Sequence, residues 1–75
     1  MINNEVIINK RKKLLSELKA GASGKGITQE QIGEAANIRA NNVNRILTGR
    51  YSPYLDTFIS MAVAAGYDLV LVEKK

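Results

Sequence analysis

The feature that most constrains the fold is the segment "TQEQIGEAANIRANNVNRILT", which contains two short helical patterns separated by one turn signal. Thr28 is a predicted helix cap, and Gln31, three residues later, completes a capping box. This helix is expected to end near Ala36. Asn37 follows, and asparagine tolerates the left-handed conformation that a tight turn requires. The pattern predicts two short helices joined by a tight turn.

The second pattern, "ANNVNRIL", starts near Arg39 or Ala40 and repeats apolar residues at helical spacing. A small residue, Gly33, is expected where the two helices cross. The apolar side chains expected between the helices are Ile32, Ala36, Ile38, Val43 and Ile46. Two short helices packed in this way form a helix-turn-helix, with its core at about residues 28–48.

Two further helices are predicted on either side of this segment. The first runs from about Asn4 to Lys19 and ends at "GASGKG", and the last runs from about Tyr54 to Ala65 and ends at Gly66. The inward-facing residues predicted for the first are Ile7, Ile8, Leu14, Leu15 and Leu18, with the stem of Arg11 between them. Those predicted for the last are Leu55, Phe58, Ile59 and Ala62.

The tail "YDLVLVE" is an unbroken run of β-branched and apolar residues, which predicts a strand over about residues 67–73. A lone strand leaves its backbone groups unpaired, so the simplest partner is the same strand of a second chain. The predicted dimer interface is formed by Leu69, Val70, Leu71 and Val72. The alternative is a partner strand within the chain, formed by "EVIIN" at residues 5–9.

Composition restricts the function. The chain of 75 residues predicts one small domain over residues 1–75. Because it has no cysteine and no histidine, it offers no thiolate or imidazole for a metal site. The residues present also offer no nucleophile–base pair for an enzyme. No apolar run is long enough to span a membrane and no signal peptide is recognisable, so we expect a cytoplasmic protein. The net charge of +4 favours a polyanionic partner, and residues 35–55 contain three arginines and no acidic residue.

The glycine-rich stretch "GASGKG" has the composition of a phosphate-binding loop but not its pattern. With Gly24 and Lys25 placed on the G-K of G-x-x-x-x-G-K-[ST], the first glycine falls on Lys19 and the hydroxyl position on Gly26. The stretch also follows a predicted helix rather than a strand. We therefore expect no nucleotide and no other cofactor.

The segments "TQEQIG", "NIRANNVNRI" and "GRYSPYLDTF" closely resemble the helix-turn-helix of the Cro, lambda-repressor and XRE family of phage and bacterial regulators. The resemblance covers about residues 27–69 and implies an all-α, lambda-repressor-like domain of four to five helices that binds double-stranded DNA. The sequence departs from the family pattern at Asn37, where glycine is usual, at Leu47, where glutamate is common, and in a longer loop at residues 21–26.

A recognition helix enters the major groove by its N-terminal part, where arginine pairs with guanine and asparagine with adenine. The residues predicted to read bases are Arg39, Ala40, Asn41, Asn42 and Arg45. Those predicted to contact phosphates are Gln29, Asn44, Thr48, Arg50 and Tyr51. For Tyr51, packing against the last helix is an equally good interpretation. The "KRKK" cluster at residues 10–13 is interpreted as the solvated face of a helix.

The sequence thus predicts a regulator, repressor-like, that binds a palindromic operator as a homodimer. A phage-like repressor and the antitoxin of a toxin–antitoxin pair both fit, and the ending "GYDLVLVEK" resembles the C-terminal strand of HipB-type antitoxins. A toxin is therefore an additional candidate partner. The alternative is a protein-interaction module that has the same fold without DNA binding.

Overall fold

The computed structural model describes residues 4–50 and 52–74 of the chain. These residues contain four helices: α1 (Asn4–Gly24), α2 (Gln29–Ala36), α3 (Ala40–Leu47) and α4 (Leu55–Ala64). No strand is present in the described residues, so the all-helical class predicted from the sequence is confirmed for them. None of the described helices combines the length and the apolar character needed to cross a membrane.

One apolar core joins the four helices. α2 packs against α3 and α4, and α1 packs against α3. Burial of each large aliphatic side chain stabilises the fold by about 1.5–3 kcal/mol, so this small cluster supplies most of the cohesion between the helices. The buried core residues are Leu15, Leu18, Ala22, Ile32, Val43, Ile46, Leu47, Met61, Ala62 and Ala65.

α1 is longer than predicted and ends at Gly24 rather than near Lys19. Burial of Ala22 holds the additional turn in the core. The helix ends where Gly26 adopts a φ of 74° and the Ile27 N–H donates a 2.9 Å hydrogen bond to the Ala22 carbonyl. The first glycines of "GASGKG" are therefore helical, because only the last one takes the left-handed conformation that stops the helix.

The first half of α1 contributes little to the core, contrary to the predicted inner face. Ile7, Ile8 and Leu14 are exposed, and burial begins at Leu15. The reason is length: 21 residues of helix span about 31 Å, whereas the two shorter dimensions of the molecule are 23 and 21 Å. The N-terminal half of α1 therefore extends past the helices it was expected to pack against.

The inner face of α4 is also rotated from the predicted one. The buried positions are Met61, Ala62 and Ala65, with Phe58 partly buried, whereas Leu55 and Ile59 are exposed. With the first half of α1, Leu55 borders an open groove of about 890 Å³, the apolar groove, which has the residues Val6, Ile7, Leu14, Leu55, Phe58 and Val72 among its lining. Apolar spacing alone did not distinguish the core from this groove.

The predicted C-terminal strand is absent, because residues 67–74 have no regular secondary structure. A strand needs a hydrogen-bonding neighbour, and the alternative partner at residues 5–9 is part of α1. All four predicted interface residues are exposed, from Leu69 at 40% to Leu71 at 103%. The tail thus presents its apolar side chains to solvent within the single chain.

Candidate nucleic-acid interface

The start of α2 is fixed as the sequence predicted. The Thr28 side chain accepts a hydrogen bond of 3.1 Å from the Gln31 N–H, and the Gln31 Oε1 accepts one of 2.9 Å from the Thr28 N–H. Both halves of the capping box are therefore present and satisfy backbone groups that the first turn leaves unpaired. The capping box confirms where the helix-turn-helix begins.

The turn between α2 and α3 depends on Asn37 and Gly33. Asn37 adopts φ 59° and ψ 43°, which confirms the predicted left-handed turn, and the Ile38 N–H donates to the Gly33 carbonyl over 2.8 Å. At Gly33 the backbone lies so close to α3 that an added Cβ would come within 2.5 Å of the Ile38 carbonyl oxygen. The close approach fixes the direction in which α3 leaves the turn.

α3 has one buried face and one polar face. Val43, Ile46 and Leu47 are buried as predicted, which orients the opposite face to solvent. Because a helix turns 100° per residue, the side chains farthest from the core are those of Asn41 and Arg45, with Asn44 and Thr48 beside them. All four are exposed. The face is thus a polar surface about two turns long, which matches the part of a recognition helix that fits a major groove.

The five predicted base-reading residues lie at the start of α3 and along its outer face and flanks. Arg39, Asn41 and Arg45 are exposed, and Ala40 and Asn42 are half-buried on the two flanks of α3. Arg39 is the residue before the first turn of α3, and its side chain is exposed. The structure brings these side chains together on one side of the molecule.

The predicted phosphate-contacting residues continue the surface at both ends. Gln29 Nε2 donates to Asn44 Oδ1 over 3.3 Å, which links the first turn of α2 to the outer face of α3. The Thr48 hydroxyl donates to the Asn44 carbonyl over 2.8 Å and therefore caps α3 in the free protein. Arg50 is exposed just beyond α3, and Tyr51 lies outside the described residues.

Lys12, which the sequence assigned to a solvated face, contacts a residue just beyond the end of this surface. The stem of Lys12, on α1, lies against Gly49, where an added Cβ would be 3.4 Å from Lys12 Cγ. No signal in the sequence indicated this, because the two residues are far apart along the chain and belong to different elements. The contact depends on how α1 crosses the end of α3.

Comparison with known families identifies this arrangement. A family model described as "Helix-turn-helix", of the XRE type that includes Cro and lambda repressor, matches residues 24–72, which is more than half of the chain. The chain belongs to this family. No curated protein and no solved structure matches it significantly. The helix-turn-helix family places this chain among DNA-binding transcription regulators, which is the class that the outer face of α3 suits chemically.

Proposed function

We propose that this helix-turn-helix protein is a sequence-specific, repressor-like regulator that reads DNA with α3 in the major groove. The observation that carries the proposal is the outer face of α3, where Asn41 and Arg45 are exposed side by side and no acidic residue occurs between residues 35 and 55. A carboxylate on this face would repel phosphates, and a bulky apolar residue would favour a protein partner instead.

Each predicted residue has a role that its chemistry supports. Arg45 is suited to a bidentate contact with guanine, Asn41 to one with adenine, and the Ala40 methyl to contact with a thymine methyl. Arg39 and Asn42 are the next base-reading candidates. Around them Gln29, Asn44, Thr48 and Arg50 are proposed to contact phosphates, which sets the register of α3 without carrying sequence information. The Gln29–Asn44 hydrogen bond supports two of these side chains in a common orientation.

Selection of bound fragments from a random DNA pool tests the proposal. Wild-type protein is expected to enrich one sequence, and Arg45→Ala is expected to relax preference at one base pair in each half-site, with a loss of about 1–3 kcal/mol of discrimination. Arg50→Ala is the matched control, since loss of a phosphate contact weakens binding to all sequences without changing the preference. No enriched sequence would favour the alternative, a protein-interaction module on this fold.

We also propose that the protein binds a palindromic operator as a homodimer. A twofold dimer places two recognition helices on half-sites about 34 Å apart, whereas a single α3 offers only a small contact. The exposed apolar side chains of residues 69–72 support this part of the proposal, because a patch of this kind in water favours association. The same patch would suit a toxin if the protein is an antitoxin, and co-expression with a neighbouring gene product separates these two partners.

A further inference from the structure

An element outside the helix-turn-helix, α1, brings a lysine side chain against the residues that follow α3. α3 ends at Leu47, Gly49 has a φ of 80° two residues later, and the Arg50 N–H donates to the Arg45 carbonyl over 2.9 Å. This hydrogen bond turns the chain back across the end of α3 and places the backbone of Arg50 beside that of Arg45. The two arginines are thereby held at the same end of the helix.

Lys12 approaches this end of α3 from α1. Three carbons of its side chain, Cγ, Cδ and Cε, lie within 3.4–3.9 Å of the position that a Cβ on Gly49 would occupy. The stem therefore lies beside Gly49, the residue that precedes Arg50 in the chain.

Lys12, Arg45 and Arg50 are three cations on or beside the C-terminal end of α3. In the part of the chain that the structure describes, none of the three side chains forms an ion pair with a carboxylate. Cations near one another attract a polyanion such as DNA. The negative end of the α3 dipole also favours cations at this end of the helix.

We infer that Lys12 contacts a DNA phosphate, so that the footprint of the protein extends from α3 onto the middle of α1. This inference rests on the proposed function and adds a contact outside the helix-turn-helix. Its chemistry is that of a point charge on a flexible stem, which neutralises a phosphate without reading a base. Lys12 therefore contributes to affinity and to salt dependence but not to sequence preference.

The salt dependence of binding to the selected operator tests the inference. Lys12→Met retains an apolar stem against Gly49 and removes the charge. Loss of one phosphate contact reduces the slope of log K against log salt by about 0.9, so the loss of affinity is expected to be about threefold greater at roughly 50 mM than at roughly 200 mM salt. Lys12→Arg is expected to retain the wild-type slope.

Lys13→Met is the matched control, because Lys13 is exposed on the same helix and lies 100° further round it. It changes the net charge equally and is expected to leave most of the slope intact. Equal slopes for Lys12→Met and Lys13→Met, with wild-type binding intact, would overturn the Lys12 contact and leave the proposed function standing. A wild-type protein that binds no DNA would overturn both. Thermal unfolding of each variant separates loss of binding from loss of fold.

Discussion

At the scale of single residues, Gly33 and Asn37 determine how α3 is presented. The two residues act differently. Gly33 leaves room for the backbone carbonyl of Ile38, and Asn37 adopts the left-handed conformation of the turn. Asn37 is the one described non-glycine residue with a positive φ, at a position where the family usually has glycine. Its short polar side chain tolerates the left-handed region better than most others do. The departure from the family pattern therefore leaves the turn intact.

Gly33→Ala is expected to destabilise the protein by about 1–3 kcal/mol, because the new methyl group overlaps a backbone carbonyl that cannot move without displacing the turn. Gly24→Ala is the control, since a Cβ at that helical position has nothing within 4 Å. It is expected to be neutral or stabilising by up to about 1 kcal/mol. Urea unfolding of both variants measures the difference, and equal free energies of unfolding would contradict the close crossing of α2 and α3.

At the scale of elements, all four described helices end in the same way. In each, the N–H of the residue that follows a positive-φ residue donates back to a carbonyl five residues earlier, which pairs a group that the helix end would leave open. The pairs are Ile27 with Ala22, Ile38 with Gly33, Arg50 with Arg45, and Tyr67 with Ala62. These endings make the connections short and fix the helices relative to one another.

The last of these endings has an additional support from the glycine-rich loop. Lys25 Nζ donates to the Ala65 carbonyl over 2.9 Å and lies 4.4 Å from the centre of the Tyr67 ring. Tyr67 in turn lies over Gly21, where an added side chain would overlap its hydroxyl. The lysine that suggested a phosphate-binding loop therefore caps α4 and holds the beginning of the tail.

Lys25→Met is expected to destabilise the protein by about 1 kcal/mol, since it removes a carbonyl hydrogen bond and an exposed cation–π contact. Faster hydrogen exchange of the Tyr67 N–H, which donates to the Ala62 carbonyl over 2.9 Å, is expected in the same variant. Lys19→Met changes the charge of an exposed lysine on α1 and serves as the control. If Lys25→Met and Lys19→Met have the same stability and the same exchange rate of the Tyr67 N–H, Lys25 has no capping role.

At the scale of the whole molecule, the polar face of α3 and the exposed apolar side chains belong to different elements. The polar surface is the outer face of α3 with the cations at its end. Apolar side chains are exposed in the tail and around the groove between α1 and α4, where Leu55 is 69% and Val72 85% exposed. Patches of this kind on a small domain favour association with another protein surface. The tail is therefore the surface that we propose for a second chain, and the outer face of α3 is the surface that we propose for DNA.

Leu71→Gln is expected to shift a wild-type dimer towards monomer and to weaken operator binding, because the change removes an apolar side chain that makes no contribution to the core of the single chain. Val63→Gln is the control, as it alters an exposed apolar residue of α4 in the same way. Light scattering at micromolar concentration measures the oligomeric state. A wild-type monomer, or equal effects of the two substitutions, would contradict an interface formed by the tail.

The sequence by itself determined the local signals of this fold. The capping box at Thr28, the left-handed turn at Asn37 and the buried face of Val43, Ile46 and Leu47 depend on residues within one helical turn of each other, so spacing and residue type were sufficient. The same signals placed the helix-turn-helix and the polar face of α3, which carries the proposed function.

Only the tertiary structure decided which apolar residues enter the core. Ile7 and Leu55 have the spacing of buried positions, but the reach of α1 past the other helices and the rotation of α4 leave them exposed. The tail has the composition of a strand, yet a strand forms only against a neighbour, and the described part of this chain supplies none. The contact of Lys12 with Gly49 likewise depends on a crossing of two helices that are distant in the sequence. Core burial, strand pairing and the Lys12–Gly49 contact all depend on which elements pack against each other. The local spacing of residues carries no information about that packing.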